Sequence, residues 1–328
     1  MSVPVIAFFN NKGGVGKTTL VYHLSWMMAE MGVPVVAADL DPQANLTSAF
    51  LDEDEFEALF PEDGPPKTIY GALQPLIDGA GDADNPHLEA ITSNLHLLPG
   101  DLALSVFEDD LSSQWPDCLD GKPRAFRVIS AFWRALQNAA VRVGAKLALT
   151  DLGPSLGAAN RAALVGSDAV VVPLSPDLYS LQGLRNLGPR LRQWREEWAD
   201  RLQRIPAGKD LPAMPAGTMR PIGYILQQHS VRLDRPVKAY DRWINRVPSA
   251  YREYVLAEKD GEQNHCLAQL KHYRSLMPMA QEARKPIFLL KAADGAIGAH
   301  YQAAQEVYRD FRRLAEEILK RIDVQLPA

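Results

Sequence analysis

Residues 10–19 read NNKGGVGKTT, and how that stretch is read decides the fold. Its ending, Gly16-Lys17-Thr18, is that of a phosphate-binding loop, whose usual pattern is G-x-x-x-x-G-K-[ST]. Aligned on that ending, the leading glycine falls on position 11, which is Asn11, and an extra lysine, Lys12, stands inside the loop. The chemistry survives the departure. Glycine lets the N–H groups from Gly13 through Val15 and Gly16 to Thr19 come close to a triphosphate, Gly14 included. Lys17 would reach the β- and γ-phosphates and the Thr18 hydroxyl would ligate Mg²⁺. A helix opening near Thr18 would point its positive end at the same phosphates.

Outward from the loop, Val3–Phe9 is a short apolar run that predicts a buried parallel strand. From Thr18 the period changes: Leu20, Val21, Leu24, Met27, Met28 and Met31 recur as on one helix face, with Gly32 as a stop. Val33–Leu40 predicts a second buried strand, completing a βαβ unit. Leu95–Leu98, Leu147–Thr150, Val170–Pro173, Ile222–Leu226 and Ile287–Leu290 are further strand candidates. Residues 52–66 and 78–87 are polar surface excursions, and 205–221 predicts a long loop. The fold expected is α/β: a doubly wound, mostly parallel sheet with helices on both faces. It forms a single domain over 1–328 with an insertion around 188–280.

The 328 residues are 47% hydrophobic and 23% charged, an ordinary globular balance. No apolar run approaches the roughly 20 residues of a membrane span, and the N-terminus lacks the basic region of a signal peptide. Cys118, in what reads as an excursion (SSQWPDCLDGKP), and Cys266 belong to no C-x-x-C pair, which argues against zinc and redox chemistry and for a reducing cytoplasm. A net charge of −5 excludes an overall basic nucleic-acid coat and leaves a local patch as the way to such a partner.

Three acidic residues end apolar strands: Asp39 and Asp41 in ADLDPQ, and Asp151 in LALTDLGPS. Singly, each reads as a helix cap or a turn. Together, beyond the carboxyl ends of strands beside a phosphate loop, they read as a site able to hold Mg²⁺ or orient an attacking water.

KGGVGKTT (12–19), DLDPQANLT (39–47) and TDLGPSLGAANRAAL (150–164) together resemble the ParA/MinD family of deviant-Walker P-loop ATPases, nearest the ParA (Soj-like) partition proteins. The resemblance covers most of residues 1–190 and the last forty or so. It implies slow, Mg²⁺-dependent ATP hydrolysis by a homodimer that forms on ATP. It also implies nonspecific DNA binding in the ATP state, positioning of DNA or another cargo, a stimulating partner protein, and a cytoplasmic, nucleoid-associated location. On this resemblance Lys12 is the signature lysine, crossing the dimer interface to the partner's ATP. Lys17 and Asp41 complete the catalytic set, Asp39 lies near the metal water, and Asp151 is the Walker B aspartate. Thr18, Asp39 and Asp151 would serve the metal. Ala44, where many members carry glycine, and Leu152-Gly153, where Cys-Pro is common, depart from the family pattern.

Residues 229–252 carry a local basic excess. Asp234 and Pro236 would open a helix that Pro248 ends. Lys238, Arg242 and Arg246 would form one basic row of it, able to track DNA phosphates or to dock a protein. The run Arg185–Arg204, diluted by acids, reads as a solvated helix face, and the C-terminal helix, with Phe311, Leu314, Ile318 and Leu319 on one stripe, as core. Competing functions are a MinD-like membrane-surface ATPase, an ATPase switch docking a protein without DNA, and a nitrogenase-iron-protein-like reductase, for which the cysteines are badly placed.

Overall fold

The computed structural model describes residues 2–208, 210–227, 242–259, 261, 263–271, 273 and 275–326. Eight strands form one sheet in the order β3-β4-β2-β5-β1-β6-β7-β8. They are β1 Val5–Phe8, β2 Val35–Asp39, β3 Glu89–Thr92, β4 Leu95–Leu98, β5 Leu147–Asp151, β6 Ala169–Leu174, β7 Arg220–Gln227 and β8 Cys266–Leu270. All neighbours run parallel except the edge strand β3, which is antiparallel to β4.

The central strands are apolar throughout because both their faces are covered. Val5 and Ala7 face one core with Phe107, Phe126, Phe132 and Trp198. Ile6 and Phe8 face the other with Leu20, Leu24, Phe311 and Ile318. The first core lies under α4 (Ile69–Ile77), α5 (Leu104–Asp117), α6 (Pro123–Ile129), α7 (Ala131–Val143), α8 (Ala158–Val165) and α9 (Leu178–Leu202). The second lies under α1 (Lys17–Glu30) and the C-terminal helix Ala299–Arg321, with α2 (Asn45–Phe50) at its rim. The expected stripe of that terminal helix is buried there.

Several expectations are corrected. Helix α1 is buried on most of its circumference, Tyr22, His23 and Ser25 included, because the sheet, α2 and the terminal helix enclose it. Ile287–Leu289 is a 3₁₀ turn, not a strand: Pro286 fixes the entry, and the Ile287 N–H donates to His23 Nε2 at 3.2 Å. The excursion holding Cys118 is the end of α5, where Leu111, Trp115 and Cys118 pack inward and the thiol is fully buried. The polar stretch 52–66 contains a short helix, Glu53–Glu57, closed by a capping box between Asp52 and Glu55. The long loop ends earlier than expected, since Arg220 and Pro221 already belong to β7.

Residues 188–280 supply most of α9 and all of β7 and β8. Strand β7 pairs with β6, so this segment extends the same sheet. The Arg185–Arg204 run is solvated only in part: Arg185, Arg190 and Arg204 are exposed, whereas Arg192, Arg195 and Arg201 are engaged with the chain. Arg192 donates to the carbonyls of Tyr254 and Val255, and Arg195 to those of Thr218 and Met219. Arg201 is buried, donates to the Trp115 carbonyl at 2.9 Å and stacks on that indole. These guanidiniums pin the long loop and the chain around Tyr254 to α9.

His23 illustrates what the second core demands. Its Nδ1–H donates to the Thr19 carbonyl at 2.8 Å while Nε2 accepts from Ile287, which fixes the neutral tautomer. The ring stacks on Phe311, centroids 5.0 Å apart. Burial pushes its pKa down to about 4. The unfolded chain, with an ordinary imidazole near 6.5, therefore takes up the proton first. His23's contribution is complete above about pH 6.5 and is lost as pH falls toward 4, a swing of about 3 kcal/mol. Denaturant unfolding of wild type and His23→Leu should show the stability gap shrinking by that order between pH 7 and pH 4. An unchanged gap contradicts the buried neutral state.

Candidate functional site

The carboxyl ends of β1, β2 and β5 converge on the loop of residues 9–16. The loop turns on two left-handed glycines, Gly14 at φ 69° and Gly16 at φ 74°. Gly16 is held by β7, whose Gln227 side chain donates to its carbonyl at 3.1 Å. A Cβ at position 16 would lie 2.4 Å from that side chain, so no other residue fits without displacing it. The amides of Gly13 to Thr19, Val15 among them, donate to no acceptor among the described residues. They are the unsatisfied donors of a loop and first helical turn.

Lys17 is buried beneath this cradle, its Nζ donating to the carbonyls of Asn10 at 3.3 Å and Lys12 at 3.5 Å. Burial lowers its pKa, opposed by Asp151 and Asp41. Lys12 points elsewhere: its ammonium pairs with Asp177, both side chains partly exposed. Asp177 also caps α9, accepting from the Ser180 N–H at 2.8 Å. Asn10 anchors the loop to β6 by donating to the Pro173 carbonyl at 2.7 Å.

The carboxylates divide by role. Asp39 is fully buried, and one oxygen accepts from both the N–H and the hydroxyl of Thr47, each at 2.8 Å. Burial pushes its pKa up to about 6 against those bonds. It therefore braces α2 and the chain leading to Asp41, whose N–H donates to its other oxygen at 3.3 Å. Asp41 accepts from the Gln43 N–H at 3.1 Å through Oδ1 and lies beside Gly153, just past Asp151. Ala44 opens α2 in the left-handed region at φ 51°, where a side chain is strained by about 1 kcal/mol. Its glycine-like backbone shows why that departure from the pattern leaves the turn intact.

Asp151 is the outlier. Both its oxygens are buried with no hydrogen-bond partner among the described residues. Burial, with Asp39 adding to it, pushes the carboxyl up to about 8, while Thr18 opposes the rise. A buried acceptor without donors costs about 1–3 kcal/mol, and a cation held between Asp151 and Thr18 satisfies it. The residues present thus fit Mg²⁺ beside a phosphate chain. The chain after Asp151 is fixed by Asn160, which donates to the Gly153 and Ser155 carbonyls. Glu108 of α5 accepts from the first turn of α8, at 2.7 Å from Ala159 N.

Of the remaining sequence candidates, Lys238 lies outside the described residues. So do Asp234 and Pro236, the expected start of that helix. Arg242 and Arg246 are exposed and flank Trp243, each guanidinium 5.4 Å from its ring centroid. Pro248 does not end a helix but sits in the first turn of one, Val247–Ala250, where its missing N–H costs nothing. Sequence reasoning missed Asp177 and Gln227. Asp177 had a visible signal, an acid before a helix with Ser three residues on, but that signal spells a cap and says nothing of Lys12.

A phosphate cradle between a buried strand and a helix, a lysine beneath it and strand-end carboxylates facing it define a P-loop nucleoside triphosphatase fold. Residues 3–204 match the family model described as an AAA domain, so the chain belongs to that family, and within it to the ParA-type P-loop ATPases. It is 32% identical over 185 residues to the sporulation initiation inhibitor protein Soj of Bacillus subtilis, covering 56% of this chain and 62% of that one. It is 32% identical over 200 residues to the chromosome-partitioning ATPase Soj of Thermus thermophilus, covering 60% of this chain and 65% of that one. The chain thus spans less than two thirds of the length of these relatives. A crystal structure of a Corynebacterium diphtheriae protein shares the fold at TM-score 0.73 and 23% identity, covering 97% of this chain and 98% of that one. Among the described residues no helix is long and apolar enough to cross a membrane.

Proposed function

We propose that the chain is an ATP-driven switch of the ParA type. Two copies close face to face on ATP, hold DNA without regard to sequence, position it or another cargo, and reopen on slow hydrolysis. The orphaned Asp151 carboxylate under a loop of unsatisfied amides carries this reading: the amides suit a phosphate chain and the carboxylate suits one divalent cation. Bound there, Mg²⁺ would supply positive charge against the developing charge of the transferred phosphoryl group. Lys17 and the amides of residues 13–19 hold the phosphates, Thr18 and Asp151 receive the metal, and Asp41 orients the attacking water. Lys12, at the partly exposed rim, reaches the ATP of a second copy. Closing two ATP molecules into one interface concentrates negative charge, and a lysine from each side offsets it.

DNA enters through the exposed Arg242 and Arg246, with Lys238 on the adjoining chain. The membrane-surface alternative finds no support, since the apolar side chains of the terminal helix are committed to the core. The reductase alternative meets a fully buried Cys118, its thiol pushed up to about 12 by burial. If each subunit neutralises about three phosphates, log affinity for duplex DNA should fall with log salt at a slope near −5 in ATP. Fluorescence anisotropy should show binding that needs ATP and Mg²⁺, ignores sequence, and disappears when Lys238, Arg242 and Arg246 are all replaced by Glu. Wild type that binds no DNA at low salt with ATP would leave a protein-docking switch as the reading.

A further inference from the structure

We propose that a cleft at the amino ends of β7 and β8, across the sheet from the phosphate loop, binds a phosphate-bearing anion. The cleft encloses about 500 Å³ and is lined by Arg192, Arg195, Arg220 and Arg321, with Glu258 its one acidic wall residue among those described. That volume suits a small charged ligand. Asp260 and Glu262, beside it in sequence, lie outside the described residues.

Three of the guanidiniums are set in place by main-chain carbonyls, which orient them without neutralising them, and the fourth, Arg321, has both carbonyls and a carboxylate as partners. Arg192 donates to Tyr254 and Val255, Arg195 to Thr218 and Met219, and Arg220 to the Arg321 carbonyl. Arg321 donates to the carbonyls of Ile222 and Asn264, and its Nε pairs with Glu317 at 2.7 Å. A guanidinium carries five N–H donors, so these bonds leave donors spare on each arginine. Arg252, whose charge acts on the wall residue His265, has its Nε buried without a partner among the described residues.

Burial registers on the groups within, with neighbouring charges as a smaller influence. Burial lowers the pKa of Arg195, with Arg192 adding to the fall and Glu196 opposing it. His265, in the cleft wall, is lowered by burial, with Arg321 and Arg252 adding and Glu258 opposing. The wall carries four guanidiniums against Glu258, with Glu317 paired to Arg321, and an anion with several charges offsets the remaining positive excess. Rigid guanidinium forks match phosphate oxygens two at a time, and a singly charged carboxylate would offset one arginine of the four. The same phosphate chemistry is offered by a free polyphosphate-like ligand and by a nucleic-acid backbone.

The test uses the full chain carrying Lys17→Ala, which silences the phosphate loop. Inorganic diphosphate is titrated by calorimetry while the His265 ring protons are followed by NMR, and a short DNA duplex at low salt forms the second arm. The expected result is one diphosphate per chain, an upward shift of the His265 titration, and a loss of at least about tenfold in affinity on Arg220→Glu. Arg220 is exposed at a strand end; should the reversal lower the melting temperature, Arg220→Gln repeats the comparison. DNA binding that Arg220→Glu abolishes, without diphosphate binding, assigns the phosphate to a nucleic-acid backbone. No binding and no His265 shift with either probe overturns the proposal, as does binding that Arg220→Glu and Arg220→Gln leave unchanged.

Discussion

Asp41→Ala should bind ATP as wild type does and hydrolyse it at least about a hundredfold more slowly, the scale set by losing one group that acts mainly in the transition state. On the proposed reading, binding rests on other parts: the cradle amides, Lys17, and a cation position between Thr18 and Asp151. Asp41 engages one oxygen with the Gln43 N–H and has no partner for the other among the described residues. Its place beside Gly153 sets it next to the metal-side carboxylate without adding to the orphaned pair. Single-turnover hydrolysis together with equilibrium binding of a fluorescent ATP analogue separates the two effects. Wild-type turnover in the variant removes Asp41 from the chemistry, whereas lost binding recasts it as a ligand of nucleotide or metal.

Lys12→Ala should bind ATP yet fail to form the ATP-dependent dimer, with a loss of dimer affinity of at least about a hundredfold. Light scattering in the Asp41→Ala background, where ATP persists, reads this directly. The ion pair inside the chain gives the prediction a second arm. Lys12 must leave Asp177 to reach a partner, and a partly exposed pair of this kind holds it by about 1 kcal/mol or less. Asp177→Asn keeps a good helix cap and removes the competing charge in both subunits, so it should tighten the dimer by up to about thirtyfold. Normal dimerisation by Lys12→Ala removes the cross-subunit role. An Asp177→Asn protein that dimerises worse shows that Asp177 itself serves the interface.

What the sequence disclosed follows from how strongly each residue's surroundings are dictated by local pattern. VIAF, VVAAD and LALTD could only be strands covered on both faces, and GKTT after the first of them could only be a phosphate loop. The edge strands were invisible: EAIT is half exposed and mixed in character, and CLAQL alternates too weakly to stand out. Charged residues misled most. The arginines of α9 look solvated because their partners are main-chain carbonyls, which leave no trace in a sequence. Asp39, Asp41 and Asp151 look alike as letters, and only their neighbours separate a brace held by Thr47 from an orphan that wants a cation.

Strand β7 begins at Arg220, in the arginine cleft, and ends at Gln227, whose side chain grips Gly16. Seven steps of extended chain amount to about 23 Å. Through solvent, ionic screening at physiological strength decays over about 8 Å, so a charge arriving at the exposed end is much weakened at the other. Displacement of a rod clamped by β6 and β8 is the direct mechanical route between the underside of the sheet and the phosphate loop. The loop meets that rod at Gly16, where a side chain would collide with the Gln227 amide.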